Sequence, residues 1–120
     1  MVRVDAEQLR RVIINLIDNA VEALGGAAAG PRGDGSPPHI ELATQRDAVN
    51  GVVRITVSDN GPGISPADRE KLFLPYYSTK RRGSGLGLAI VRRIIAEHGG
   101  AIDVADNVPS GTIFTIELPL

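Results

Sequence analysis

Gly83-Ser84-Gly85-Leu86-Gly87 stands directly ahead of an amphipathic helix-forming stretch, and this junction restricts the chain more than any other feature. The backbone N–H groups of a glycine turn, joined to a helix N-terminus, favour an anion such as a phosphate, and a plain flexible helix entry is the other reading of the loop alone. The spacing here is G-x-G-x-G. A dinucleotide fingerprint needs G-x-G-x-x-G after a strand, and a Walker loop needs Gly-Lys-Ser/Thr. Neither is met, so two common nucleotide folds are disfavoured. The helix is expected from about Gly85 to His98, with Leu86, Ala89, Ile90, Ile94 and Ile95 on its apolar side and Gly99-Gly100 as its stop.

The rest of the chain supplies a layered frame for this junction. Asp5 is placed as a helix N-cap, with Gln8 completing a capping box. Leu9, Val12, Ile13, Leu16, Ile17, Ala20, Val21 and Leu24 then follow the 3.6-residue period as far as Gly25-Gly26. Ala27 to Pro38 reads as a surface loop rich in Gly and Pro. "HIELATQ" and "VVRITVSD" read as a hairpin of two strands. Ser65 caps a short helix with Pro66 at its first position, and "YYSTKRRGSG" reads as a mobile loop. "AIDVAD" and "TIFTIEL" form a last strand pair. This order predicts a two-layer α/β (α+β) sandwich.

With 120 residues and 42% apolar content, one domain with a real core is expected. The abrupt opening "MVRVD" reads as a piece cut from something longer. A net charge of −1 gives no overall pull towards nucleic acid or an acidic membrane. The absence of cysteine removes disulfides and thiol chemistry, and fits the cytoplasm. His39 and His98 read as ordinary structural or surface residues, and a zinc site has little support.

Three places carry candidate chemistry. Asn15 and Asn19 lie one helical turn apart, at the edge of the apolar stripe. Amide oxygens at that spacing suit a magnesium ion that keeps its waters and binds phosphates, or simply a solvated face. Asp59 closes an apolar strand just before Asn60-Gly61-Pro62-Gly63. Taken alone these residues read first as a plain turn; in the functional reading the carboxylate accepts from an amine such as that of adenine, beside glycines that let a flat base approach. Lys80, Arg81 and Arg82 precede the glycine turn as a solvated charge run or a cationic cover for a polyphosphate. Arg92 and Arg93 read as solvated surface or a partner contact.

Taken in order, these pieces resemble the ATP-binding catalytic domain of bacterial sensor histidine kinases. That domain is one branch of a superfamily shared with gyrase-type topoisomerases, large heat-shock chaperones and mismatch-repair ATPases. "NLIDNAVEAL" from Asn15 resembles the asparagine box, "DNGPGI" from Asp59 the first glycine box, and "LFLPYYSTK" from Leu72 the phenylalanine box, with Tyr76-Tyr77 where many members carry Phe. "GSGLGLAIV" from Gly83 resembles the second glycine box, and "GTIFTIELP" from Gly111 the closing strand. The resemblance covers essentially all 120 residues, and "NAVEAL" with "YYSTKRRGSGLGL" is similar to nitrogen-regulation-type kinases.

The resemblance implies a mixed β-sheet with three helices on one face and a single ATP-binding catalytic domain over residues 1–120. It implies that Asn19 binds Mg²⁺, Asn15 lies beside the phosphates and Asp59 accepts the adenine amine. Gly61, Gly63 and Ile64 would shape that pocket, with Thr112 near the base. Residues from about Ser65 to Gly83, Tyr76 among them, would form an ATP lid, and Gly83, Gly85, Leu86 and Gly87 would lie against the phosphates. Many members carry a lysine three residues after the second asparagine; Glu22 stands there instead, so Lys80, Arg81 or Arg82 is expected to supply the charge. The hydrolytic branches carry a glutamate base where this chain has Asn15, and an amide cannot take that proton. Slow hydrolysis is therefore expected, with Asn15, Lys80 and Arg82 aiding transfer of the γ-phosphate to a histidine on a separate helical dimerisation domain, and a response regulator downstream. The domain itself is expected to be cytoplasmic and monomeric, touching neither nucleic acid nor membrane, though its parent protein can be membrane-anchored. A serine/threonine kinase of the anti-sigma-factor type and a non-catalytic nucleotide-sensing module are the two alternative readings.

Overall fold

The computed structural model describes residues 5–24, 37–73, 87–108 and 110–120. The first helix, α1 (Ala6–Ala23), opens on Asp5, whose carboxylate accepts from the Glu7 N–H at 3.0 Å and the Gln8 N–H at 3.2 Å. Half of the expected capping box is thus formed. The reciprocal half is not: the Asp5 N–H donates to the ring of His98 at 3.1 Å, so a tertiary partner takes the donor that Gln8 was expected to satisfy. Along α1 the buried positions are Val12, Leu16 and Ala20. Leu9 and Ile17 pack around them, whereas Val21, expected on the apolar stripe, is 40% exposed.

Strands β1 (Ile40–Asp47) and β2 (Val52–Asp59) pair as the expected hairpin, with β1 starting one residue later and ending two residues later than its sequence pattern. Helix α2 (Pro66–Lys71) has Ser65 as N-cap, its side chain accepting the Asp68 N–H at 3.2 Å. Helix α3 (Gly87–Glu97) contributes Val91, Ile94 and Ile95 to the core; Val91, fully buried, was not among the expected apolar positions. It ends as predicted at the glycine pair: Gly99 turns left-handed at φ 72°, and the Gly99 and Gly100 N–H groups bond back to the Ala96 and Ile95 carbonyls. Strands β3 (Ala101–Asp106) and β4 (Thr112–Pro119) complete a four-stranded sheet of order β1-β2-β4-β3. The sheet expected as mixed is antiparallel at each described pairing.

Successive residues of a strand point to opposite faces, so one face of the sheet carries the core. In β4 that face is Thr112, Phe114, Ile116 and Leu118, and in β2 it is Ile55, Val57 and Asp59. The other face is polar, with Arg54 of β2 held at 2.7 Å by Glu117 and at 3.0 Å by Asp47. Helices α1 and α3 lie on the apolar face, giving the two-layer arrangement the element order predicted.

Candidate nucleotide site

The core-facing row of the sheet changes character at one end. Continuing past the apolar pairs Ile55–Ile116 and Val57–Phe114, the next pair is Asp59–Thr112, both buried, at 4% and 5% exposure. A carboxylate withdrawn this far from water needs donors. One is the Gly61 N–H, which reaches Asp59 Oδ1 at 2.8 Å. Behind the carboxylate, the Asp59 carbonyl accepts from Asn107 Nδ2 at 2.8 Å, and Asn107 in turn donates its own N–H to the Gly111 carbonyl at 3.0 Å. Asn60 stitches the turn to the start of β1. Its Oδ1 accepts the His39 N–H at 2.8 Å and its Nδ2 donates to the Pro37 carbonyl at 2.8 Å.

Two glycines are required by this packing. A Cβ on Gly111 would lie 1.9 Å from the Asp59 carbonyl oxygen, and its φ of 120° excludes ordinary side chains as well. A Cβ on Gly61 would lie 2.9 Å from Asp59 Oδ1 and 3.2 Å from the Ala23 carbonyl oxygen. Gly61 therefore seats the Asp59 turn directly against the last turn of α1. Gly63 is left-handed at φ 83°, and Ile64 after it packs half-buried on the core.

Ala23 also locates the asparagines. Asn15, Asn19 and Ala23 are spaced four residues apart, on one flank of α1, and both asparagines are half-buried. At a rise of about 1.5 Å per residue, Asn19 lies roughly 6 Å and Asn15 roughly 12 Å back along the helix from the contact with Gly61. The sequence-predicted Asn15, Asn19, Asp59, Gly61, Gly63, Ile64 and Thr112 thus gather around one end of the sheet and one flank of α1. Gly87 begins α3. Tyr76, Lys80, Arg81, Arg82, Gly83, Gly85 and Leu86 lie outside the described residues, as does most of the expected lid.

The described part of that lid region is docked firmly. Phe73 meets Phe114 edge-to-face, ring centroids 6.5 Å apart, and the Arg92 guanidinium stands 5.8 Å from the Phe73 centroid. Arg69 of α2 pairs with Asp106, which lies opposite Thr112 at the end of β3. Arg92, read from sequence as solvated surface or a partner contact, is exposed and also a cation–π neighbour of Phe73; Arg93 is exposed too, paired with Glu97 at 3.4 Å. Asn60, Asn107 and Ser110, whose hydroxyl donates to the Gly61 carbonyl, are site-building residues that sequence reasoning missed. Asn60, within the glycine turn, and Gly111, ahead of a strand, carried a sequence signal.

A two-layer sandwich with a buried Asp–Thr pair behind glycine turns, beside a helix bearing two asparagines, defines an ATPase-type nucleotide fold. Residues 4–120 match the family model of histidine kinase-, DNA gyrase B- and HSP90-like ATPases, and the chain belongs to that family. The sensor histidine kinase ZraS of Salmonella typhimurium is 42% identical over 119 residues, which is 99% of this chain and 23% of that protein. This chain therefore spans about a quarter of that relative's length. Among solved structures, the nucleotide-free catalytic domain of histidine kinase ThkA superposes with a TM-score of 0.79 at 36% identity, covering 98% of this chain and 70% of that one. Full-length ShkA in complex with AMPPNP matches with a TM-score of 0.72 at 34% identity, covering 93% of this chain and 21% of that one.

Proposed function

We propose that this chain is the catalytic unit of a sensor histidine kinase, binding Mg²⁺-ATP and presenting the γ-phosphate to a histidine on a separate helical domain. The observation that carries the reading is Asp59: a buried carboxylate, an acceptor only, at the end of a strand between glycines. Such a group suits an exocyclic amine and repels a phosphate, so it fits the adenine end of the nucleotide. Thr112 beside it offers a hydroxyl to the base. The phosphates then extend along the asparagine flank of α1 towards the start of α3 at Gly87, where backbone N–H groups favour them.

The donor set fits the metal. An amide oxygen is a hard, neutral ligand that suits a Mg²⁺ ion already held by phosphates and waters. We assign that amide to Asn19, with Asn15 beside the phosphates. Bound Mg²⁺ neutralises charge on the phosphates during transfer. Lys80, Arg81 and Arg82 add positive charge from the sequence side of the second glycine box. The acceptor is a neutral imidazole nitrogen, nucleophilic without a base: its lone pair forms the P–N bond, the bond from the γ-phosphorus to the bridging oxygen breaks, ADP leaves, and the ring N–H proton passes to water. Asn15, unable to take a proton, leaves water unactivated, which supports transfer over hydrolysis. A response regulator then takes the phosphate from that histidine.

The test is calorimetric titration of Mg²⁺-ATP and Mg²⁺-ADP into the chain and into Asp59→Asn. Loss of a charge-assisted hydrogen bond of about 1.5–3 kcal/mol corresponds to roughly 10- to 150-fold weaker binding. Equal affinity in the two proteins would sink the adenine assignment. Adding a histidine-bearing helical partner should then give an acid-labile phosphate; an acid-stable one would indicate a hydroxyl acceptor instead.

A further inference from the structure

The two helices beside the nucleotide site are tied together at the ends farthest from it. His98, directly after α3, has Nδ1 2.7 Å from the Ile94 carbonyl oxygen, and its Nε2 faces the Asp5 N–H at 3.1 Å. A carbonyl only accepts, so Nδ1 carries the proton; a backbone N–H only donates, so Nε2 is bare. Both ring nitrogens are therefore committed, and only the neutral Nδ1–H imidazole satisfies both. The ring is half-buried and shares a small apolar pocket with Leu9, Ile94, Ile95 and Leu118.

The placement gives this joint leverage. The start of α1 lies against the end of α3, so the two helices run antiparallel. The opposite end of α1 meets Gly61 of the nucleotide site, and the opposite end of α3 is Gly87. His98 closes the far end of a pair whose near end carries Asn19 and Gly87. The Asp5 N–H it holds is the donor left over from the half-formed capping box.

We propose that His98 is a positioning residue for the nucleotide site, pinning α1 against α3 only while its ring is neutral. This rests on the nucleotide-binding reading above. Protonation of Nε2 turns the acceptor into a donor facing another donor, and the tie is lost. Charged groups stand on both helices at the joint. On α1, Asp5 holds its carboxylate on the Glu7 and Gln8 N–H groups, with Glu7 itself in the first turn. On α3, Glu97 is paired with Arg93. From β4, the pocket residue is the uncharged Leu118. With that hydrogen bond gone, the start of α1 is less constrained against α3 and the site end loosens.

The experiment uses the ¹⁵N-labelled chain with His98→Gln, which retains an acceptor at the ε position, and His98→Asn, which keeps only the donor to Ile94. Long-range ¹H–¹⁵N spectra at pH 8 should report the Nδ1–H tautomer for His98. The Asp5 amide resonance should move with the ring's own titration in the wild type and stay still in His98→Gln. A hydrogen bond of this kind spans about two- to tenfold in an equilibrium. Mg²⁺-ATP affinity of the wild type, divided by that of His98→Gln at the same pH, should fall about threefold as the ring protonates; the ratio cancels ionisation of the nucleotide itself. His98→Asn should bind about threefold more weakly than His98→Gln at pH 8. An Nε2–H tautomer, a stationary Asp5 amide, or a flat affinity ratio would each overturn the proposal. Failure of every variant, wild type included, to bind nucleotide while the Asp5 amide follows the ring would sink the nucleotide reading and leave the joint as a structural tie.

Discussion

Gly111 and Gly51 have the same residue type and a positive φ, yet their surroundings give them different weight. At Gly51, φ 68°, a Cβ meets nothing within 4 Å, so Gly51→Ala should cost only the left-handed backbone penalty of about 1–2 kcal/mol. At Gly111 the same Cβ lies 1.9 Å from the Asp59 carbonyl oxygen, which forces β4 away from the end of β2. Gly111→Ala should therefore cost more than about 3 kcal/mol and weaken nucleotide binding as well. Urea unfolding of the two variants checks the order; equal losses would mean that the close approach is relieved at little cost. Neither difference was legible in sequence, because both glycines precede strands. The burial of Asp59 was only partly legible, since a carboxylate ending an apolar strand before a glycine turn also reads as a plain turn.

At the scale of elements, the outer face of the sheet and the docking of α2 behave differently towards pH and truncation. Asp47, at the end of β1, receives hydrogen bonds from Asn50 and then Arg54, which lower its pKa from 3.8 to about 2; the same pairing raises that of Arg54. A carboxyl depressed in the folded state stabilises it fully above the unfolded pKa, and that stabilisation is lost as pH falls through the folded value. The hairpin contribution is thus present above pH 4 and disappears between about pH 4 and pH 2. Urea midpoints over that range should fall more steeply in the wild type than in Asp47→Asn; parallel curves would refute the assignment. On the other side, Phe73 is partly buried against Phe114 and under Arg92. Phe73→Ala should cost about 2 kcal/mol, less than a fully buried Phe, while Arg92→Ala should cost under about 1 kcal/mol. The short helix α2 was legible from Ser65-Pro66, but its anchors were not. Arg69–Asp106 joins residues 37 apart in the chain, and no local pattern announces such a pair.

For the whole molecule, one core joins α1, α3 and the sheet, and the candidate nucleotide site is built on its edge. Leu16, fully buried, lies in the middle of that core, so Leu16→Ala should cost about 3–5 kcal/mol and unfold the chain in a single transition. Because the site is assembled only in the folded chain, ligand must raise stability by linkage. Mg²⁺-ATP at 100 times its Kd should add about 2.7 kcal/mol, and at the same nucleotide concentration Asp59→Asn should gain far less. Thermal unfolding with and without nucleotide reads both; an unmoved wild-type midpoint at saturating ligand would contradict a site coupled to the core. Among the described residues no helix is long and apolar enough to cross a membrane.

The sequence by itself determined what depends on near neighbours. The period of α1, the alternation of β2 and β4 and the Ser65 and Gly99 caps all follow from local sterics and burial, which a chain writes at fixed spacing. The tertiary structure alone decided what depends on closure between distant segments. It exposed Val21 at the margin of the apolar stripe, buried Val91, and laid Arg92 over Phe73. It placed Gly111 against the Asp59 carbonyl and gave the Asp5 N–H to His98, 93 residues away, in place of Gln8 three residues away. A donor at a helix start must be satisfied, but chemistry fixes only that a partner exists; which one serves is settled when the layers pack.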